Sequence, residues 1–190
     1  METREAIMAR RSVRKFTDER VSREDLEKVI EAGIWAPSAT NTQPWYFLAL
    51  TSDEDIDWLL VEMRKHRDAQ HVRLSSRFPN HPDTVEETLG FLGDLGGART
   101  LILAFLLKED YGTSQRACLQ SVGAAMENMA LAATDLGIAN CWVEEVMRID
   151  DEAHERFGLE VGPLLGCLVL GYAAQEPHIP KRKPGRFDIR

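Results

Sequence analysis

Two stretches of this chain carry side chains suited to chemistry. Arg10-Arg11-Ser12-Val13-Arg14 crowds three guanidinium groups and a hydroxyl into five residues. A guanidinium can donate two parallel hydrogen bonds to a phosphate, and the serine adds a short-range donor. The same residues also suit a solvated basic loop complementing the C-terminal dipole of a preceding helix. The second stretch is Pro37-Ser38-Ala39-Thr40-Asn41-Thr42-Gln43-Pro44-Trp45. Its prolines stiffen a loop whose hydroxyls, amides and backbone groups can line a polar ligand. The plainer alternative is a helix-to-strand connector in which Asn41 and Gln43 satisfy nearby backbone.

The distribution of charge bears on the first stretch. Across 190 residues the formal net charge is −8, but the ends and the middle differ in sign. Residues 1–20 carry net +2 and residues 181–190 net +4, which leaves −14 on the 160 residues between them. Two basic ends on an acidic body favour one small anion held between them. They disfavour an extended polyanion, so no nucleic-acid partner is expected.

Other chemistries find less support. His66, His71, His81, His154 and His178 are scattered without a helical ligand pair, so no metal site is expected. Cys118, Cys141 and Cys167 form no Cys-x-x-Cys pair, which argues against a zinc ribbon or disulfide framework and suits a reducing cytoplasm. Gly93, Gly96 and Gly97 lack the strand–turn–helix setting of a phosphate loop. No apolar run approaches the ~18–20 residues of a membrane span. Met1-Glu2-Thr3-Arg4-Glu5 lacks the apolar core of a secretory signal.

At 44% hydrophobic and 28% charged residues, the chain reads as one globular domain over 1–190. A short helix is predicted over 2–9. A second helix starts at the Ser22 cap and runs to about Trp35, with Leu26, Val29, Ile30 and Ile34 on one face. Trp45–Leu50 reads as a strand, followed by a helix opened by Ser52 and Asp55. Residues 66–83 are polar and read as a loop or flap, with a short helix from Thr84 to about Leu95. The apolar run Thr100–Leu107 predicts a strand buried on both faces. A long helix over 114–136 carries small residues, among them Gly123, Ala124, Ala125, Ala130 and Ala133, that allow another backbone close. Strands at 139–143 and 167–172, a helix near 150–157 and a proline-rich extended arm over 173–190 complete an α+β domain.

Arg10–Phe16, then Ala36–Trp45, then Gly137-Ile138-Ala139-Asn140-Cys141-Trp142-Val143, then Leu170-Gly171-Tyr172 and Lys181-Arg182-Lys183-Pro184, follow one another in an order that resembles the nitroreductase family of flavin mononucleotide (FMN) enzymes. The agreement spans nearly the whole chain except 66–98, which reads as a variable lid. The resemblance implies a mixed, mostly antiparallel sheet of about four to five strands flanked by helices. It implies a homodimer built on the long helix, with flavin at the subunit interface. By similarity Arg10, Ser12 and Arg14 would hold the phosphate, ribityl chain and pyrimidine edge, with Arg11 nearby and Arg182 completing the phosphate site. Pro37, Ser38, Ala39 and Asn41 would come from the partner subunit. Trp142 and Val143 would lie behind the ring, with a backbone N–H of this stretch or Glu144 facing flavin N5.

The implied reaction is ping-pong hydride transfer from NADH or NADPH through the flavin to a small acceptor such as a nitroaromatic or quinone, with no catalytic acid–base pair. The same fold and cofactor also accommodate reductive dehalogenation, substrate dehydrogenation or flavin destruction. A non-enzymatic anion-binding module is the remaining alternative. Two departures from the family pattern stand out. Residues 66–82 match no family motif, leaving Arg67, Gln70 and Arg73 as open choices for flavin contacts. Glu144-Glu145 also replaces a common glycine, with a more acidic pocket mouth as one consequence.

Overall fold

The computed structural model describes residues 1–107, 114–177 and 179–190, so His178 lies outside it. Helices α1 (Thr3–Ala9) and α2 (Arg23–Ile34) precede strand β1 (Trp45–Leu50). Three helices follow, α3 (Asp53–Lys65), α4 (Arg67–Arg77) and α5 (Pro82–Asp94), and lead into β2 (Thr100–Leu106). The long α6 (Gln115–Asp135), β3 (Ala139–Val143), α7 (Asp150–Phe157) and β4 (Leu164–Gly171) complete the order. Ser22, Ser52 and Ser114 cap α2, α3 and α6 by accepting a backbone N–H three residues on. Among the described residues no helix is long and apolar enough to cross a membrane.

The sheet order is β1-β2-β4-β3 and every neighbouring pair is antiparallel. Among the described residues the parallel part of the expected mixed, mostly antiparallel sheet is confined to an isolated bridge between Ser12 and Asn140. Because side chains alternate across a strand, β2 feeds two cores at once. Leu101, Leu103 and Phe105 pack with Ile56 and Leu59 of α3, Phe91 of α5 and Ala153 of α7. Ile102, Ala104 and Leu106 pack on the opposite face with Leu26 and Val29 of α2 and Met126 and Met129 of α6. Burial on both faces accounts for the unbroken apolar run of this strand. The small residues of α6 are partly used within the chain, since a Cβ at Gly33 of α2 would lie only 2.7 Å from Met129 Cγ.

Residues 66–83 are not the expected loop. Eleven residues, Arg67–Arg77, form α4, and α5 begins at Pro82 rather than Thr84. Along α4 only Gln70 and Leu74 are buried. Its apolar partners, Val85 and Leu89, come from α5, with Phe78 packed alongside. One inward leucine gives a window no helical periodicity, so the helix is evident only with α5 beside it. β4 likewise starts at Leu164, ahead of the expected Cys167.

Between α1 and α2 the chain runs extended along the sheet margin. Val13 N–H donates to Asn140 carbonyl at 2.9 Å, Phe16 N–H to Gly96 at 2.8 Å and Thr17 N–H to Tyr172 at 2.8 Å. Val13 and Phe16 are buried, and Arg14 passes so close to Gly96 that an added Cβ would lie 2.3 Å from its carbonyl oxygen. Gly96 also has φ +66°, a conformation that penalises any side chain. Gly96→Ala should therefore lower stability by about 2–3 kcal/mol in chemical denaturation. An unchanged midpoint would show that this crossing can relax.

His154 of α7 has Nδ1 2.8 Å from the Asp150 carbonyl and Nε2 3.2 Å and 3.1 Å from those of Val161 and Gly162. Both nitrogens can donate only when the ring is protonated. The Asp150 carbonyl leads in raising its pKa above the ordinary 6.5, against a smaller opposing effect of burial. The stabilisation is complete below the unfolded value and is lost as pH rises through the higher folded value. The melting-temperature gap between wild type and His154→Gln should thus shrink from pH 5.5 to pH 8.5, whereas a constant gap would assign His154 a packing role alone.

Candidate functional site

The extended segment presents its basic side chains outward while Val13 anchors it inward. Arg10, Arg11, Ser12 and Arg14 line a cavity of about 320 Å³. Its remaining wall is Gln175, Pro180 and Arg182, supplied by the C-terminal arm. Ala174 N–H donates to the Lys15 carbonyl at 2.9 Å, which starts the arm alongside the segment. Both basic ends thus meet around one cavity. Gln175 and Pro180 were not singled out from the sequence. The proline spacing signalled an extended arm, but not which of its residues turn toward Arg10–Arg14.

The guanidinium groups differ in their surroundings. Arg10 Nε is 3.4 Å from Glu127 Oε1 on α6, a loose pairing. Arg11 donates from Nη1 to the Arg10 carbonyl at 2.7 Å, while its buried Nε has no partner. A buried donor left unpaired is costly, so this arginine is held under an unmet hydrogen-bonding demand. Arg14 lies with Cζ 5.9 Å from the Phe91 ring centroid, a cation–π contact that limits where it can swing. Among the described residues, Arg11, Arg14 and Arg182 make no ion pair.

Beneath this cluster lies Cys141, buried in the first core. Burial pushes its thiol pKa up, and Arg14, Ser12 and Arg10 only partly oppose that shift. The thiol is thus an uncharged packing group. Cys118 and Cys167 are also free and buried, as expected for small core residues.

The remaining candidates are placed elsewhere. Trp142 and Val143 are adjacent in β3 and face opposite sides of the sheet. Val143 is buried in the first core, which leaves its backbone rather than its side chain to meet a ligand. Trp142 is 44% exposed on the α6 side, where an added Cβ on Gly166 would lie 3.0 Å from its Nε1. Glu144 is exposed at the end of the strand. Its neighbour Glu145 is mostly buried and paired with Arg73 of α4 and with Arg148. Of the other open choices, Arg67 pairs with Glu86 at 3.3 Å, and Gln70 is buried with an unpartnered Nε2. None of the three lines the basic cavity.

Pro37, Ser38, Ala39 and Asn41 do not line it either. Their loop contains a 3₁₀ turn, Ala39–Asn41, tied to α6 by Ala39 N–H donating to Ser121 Oγ at 3.2 Å. Ser38 Oγ accepts the Gln43 N–H at 3.0 Å. Thr40, Asn41 and Gln43 have φ of 51°, 55° and 46°, left-handed values unusual for residues with a Cβ. Such strain persists where surrounding contacts impose it, and it concentrates at ligand-binding positions.

An antiparallel sheet between two helical layers, with an arginine-lined cavity at its margin, makes this an α+β protein. The family model described as "Nitroreductase family" matches residues 7–172, and the chain belongs to that family. A nitroreductase with bound FMN from Bacteroides fragilis is 26% identical, with a TM-score of 0.76 over 100% of this chain and 99% of that one. A BluB-like flavoprotein from Clostridium difficile is 28% identical, with a TM-score of 0.75 over 97% and 95%. The Bacillus subtilis protein provisionally named NAD(P)H nitroreductase YfhC is 26% identical over 187 residues, 96% of this chain and 90% of its own.

The strained loop yields a direct test. Glycine at an ordinary position loses about 0.5–1 kcal/mol to backbone entropy. At Thr40 the relief of left-handed strain should offset that loss, so Thr40→Gly should melt no lower than wild type. A clear drop in melting temperature would show that the backbone there is not strained.

Proposed function

We propose that this protein is an FMN-dependent oxidoreductase that takes hydride from NADH or NADPH and delivers it to a small acceptor such as a nitroaromatic or a quinone. The observation carrying this reading is the 320 Å³ cavity in which Arg10, Arg11, Ser12 and Arg14 meet Arg182. Its guanidinium and hydroxyl donors suit a phosphate monoester, and the buried, unpartnered Arg11 Nε shows that the hydrogen bonding of this cluster is not completed by the protein alone. When bound there, FMN would supply the two-electron chemistry that protein side chains lack.

The chain's own residues then hold and tune the cofactor. Arg10, Ser12 and Arg182 grip the phosphate end with Arg11 beside them, and Arg14 sets a positive charge at the pyrimidine edge. A fixed cation there favours the negative charge that the ring acquires on reduction. Trp142, the Val143 backbone and Glu144 face the ring from β3. Pro37, Ser38, Ala39 and Asn41 lie outside the cavity and serve the site of a second copy. Trp35 (79% exposed), Ile7, Met8 and Leu119 are exposed apolar residues for that copy to cover, making the protein a homodimer. The three free cysteines agree with a reducing cytoplasm. A second reading keeps the fold and the cofactor and changes the reaction, and likeness to a protein described only as a flavoprotein is compatible with either.

The purified protein should be yellow and should bleach on anaerobic addition of NADH or NADPH. Colour should return with a nitroaromatic or quinone, and initial rates should give parallel reciprocal plots. Arg14→Ala and Arg182→Ala should each weaken FMN binding at least about tenfold, the scale of one charge-assisted hydrogen bond, while the dimer persists. A colourless protein that takes up no FMN would overturn the reading. Normal bleaching by nicotinamide with no reduction of either acceptor would favour the second one.

A further inference from the structure

Glu145 is where the helical excursion after α3 meets the end of β3. Its carboxylate bridges two arginines: Oε1 accepts from Arg73 Nη2, and Oε2 accepts from Arg148 Nε at 2.8 Å. The Glu145 side chain is 12% exposed, against 47% for Arg73 and 35% for Arg148. A carboxylate this buried is costly to leave unpaired, so its partners determine where it can lie. Arg148 is local, but Arg73 comes from α4, 72 positions away in sequence.

Two features make this pairing more than surface decoration. First, the 3₁₀ turn Glu145–Ile149 has Val146 and Ile149 fully buried in the core, and no side-chain hydrogen bond caps its start. Packing holds the turn from beneath, and the Glu145 ion pairs hold its first residue. Second, α4 buries only Gln70 and Leu74, so its contribution to the core is small. What it delivers is a guanidinium at the end of β3. The pairing also bears on the expected acidic pocket mouth: Glu145 is turned to arginine, so only Glu144 can contribute a free charge there.

We propose that Arg73 is a positioning residue: through Glu145 it fixes the backbone leaving β3 at Val143 and Glu144, the edge that faces the flavin ring. This rests on the FMN reading, but Arg73 itself does not touch the cofactor. The expected role is orientation of the reacting face, for which small displacements have large effects on rate.

The test uses FMN-loaded wild type, Arg73→Ala and Arg73→Lys. Arg73→Ala should keep its FMN and slow anaerobic bleaching by NADH about tenfold, with the NADH KM unchanged within about twofold. Its flavin visible spectrum should shift. Arg73→Lys should recover most of the rate. In FMN-free protein, amide hydrogen exchange over residues 143–146 should quicken about tenfold in Arg73→Ala. Unchanged bleaching and exchange would overturn the proposal. So would a slower rate that tracks a lower melting temperature and is not rescued by lysine. If wild type binds no FMN, the parent reading fails, and the exchange measurement still decides whether Arg73 orders this backbone.

Discussion

From Val13 to Thr17 the chain lies against the sheet margin, held by the Val13 N–H on the Asn140 carbonyl at 2.9 Å and by two further backbone bonds to Gly96 and Tyr172. Five residues with arginines on either side of one valine have no reason to stay extended in isolation. The margin supplies that reason by giving their backbone partners and their apolar side chains a place inside. Asn140 is itself tied to α6, its Nδ2 donating to the Ala130 carbonyl at 3.0 Å. The basic segment thus inherits its position from the central helix through one buried asparagine. With that line secured, Arg10, Arg11, Ser12 and Arg14 have a common direction, and the arm that starts on Lys15 brings Arg182 to meet them.

An acidic protein can hold such a cluster because its paired carboxylates lie mostly away from it. Asp53, Asp57, Glu54 and Asp55 answer Arg20, Arg99 and Arg156 around the start of α3. Glu145 is neutralised between Arg73 and Arg148. Only Glu127 reaches the basic cavity among the described ion pairs, and at 3.4 Å it compensates Arg10 incompletely. The result is a local positive field inside a negative molecule. A single phosphate can use that field, whereas a long polyanion meets the acidic body beyond it.

Much of this was legible in the residues. Capping serines marked the starts of α2, α3 and α6, and the unbroken Thr100–Leu106 run marked a strand covered on both faces. Arg10, Arg11, Ser12, Arg14 and Arg182 were expected to share a site, and they line one cavity. α4 was not legible, because its single buried leucine finds Val85 and Leu89 only after α5 folds back. Nor could the opposite facing of Trp142 and Val143 be assigned to solvent and core, since both residue types suit either environment. Gln175 and Pro180 carry no signal of their own; their place depends on the path of the arm.

Composition and spacing by themselves determined that the chain is α+β, that its two ends are basic, and that their arginines suit a small anion. These are local properties, set by side-chain chemistry, periodicity and capping. Only the tertiary structure decided that the two ends meet, that Cys141 lies beneath them, and that Arg73 of an unrecognised helix locks Glu145. Those outcomes depend on contacts between residues far apart in sequence, such as 72 positions for Arg73 and Glu145. No local window encodes them, because the free energy of each contact exists only once the sheet has brought its partners together.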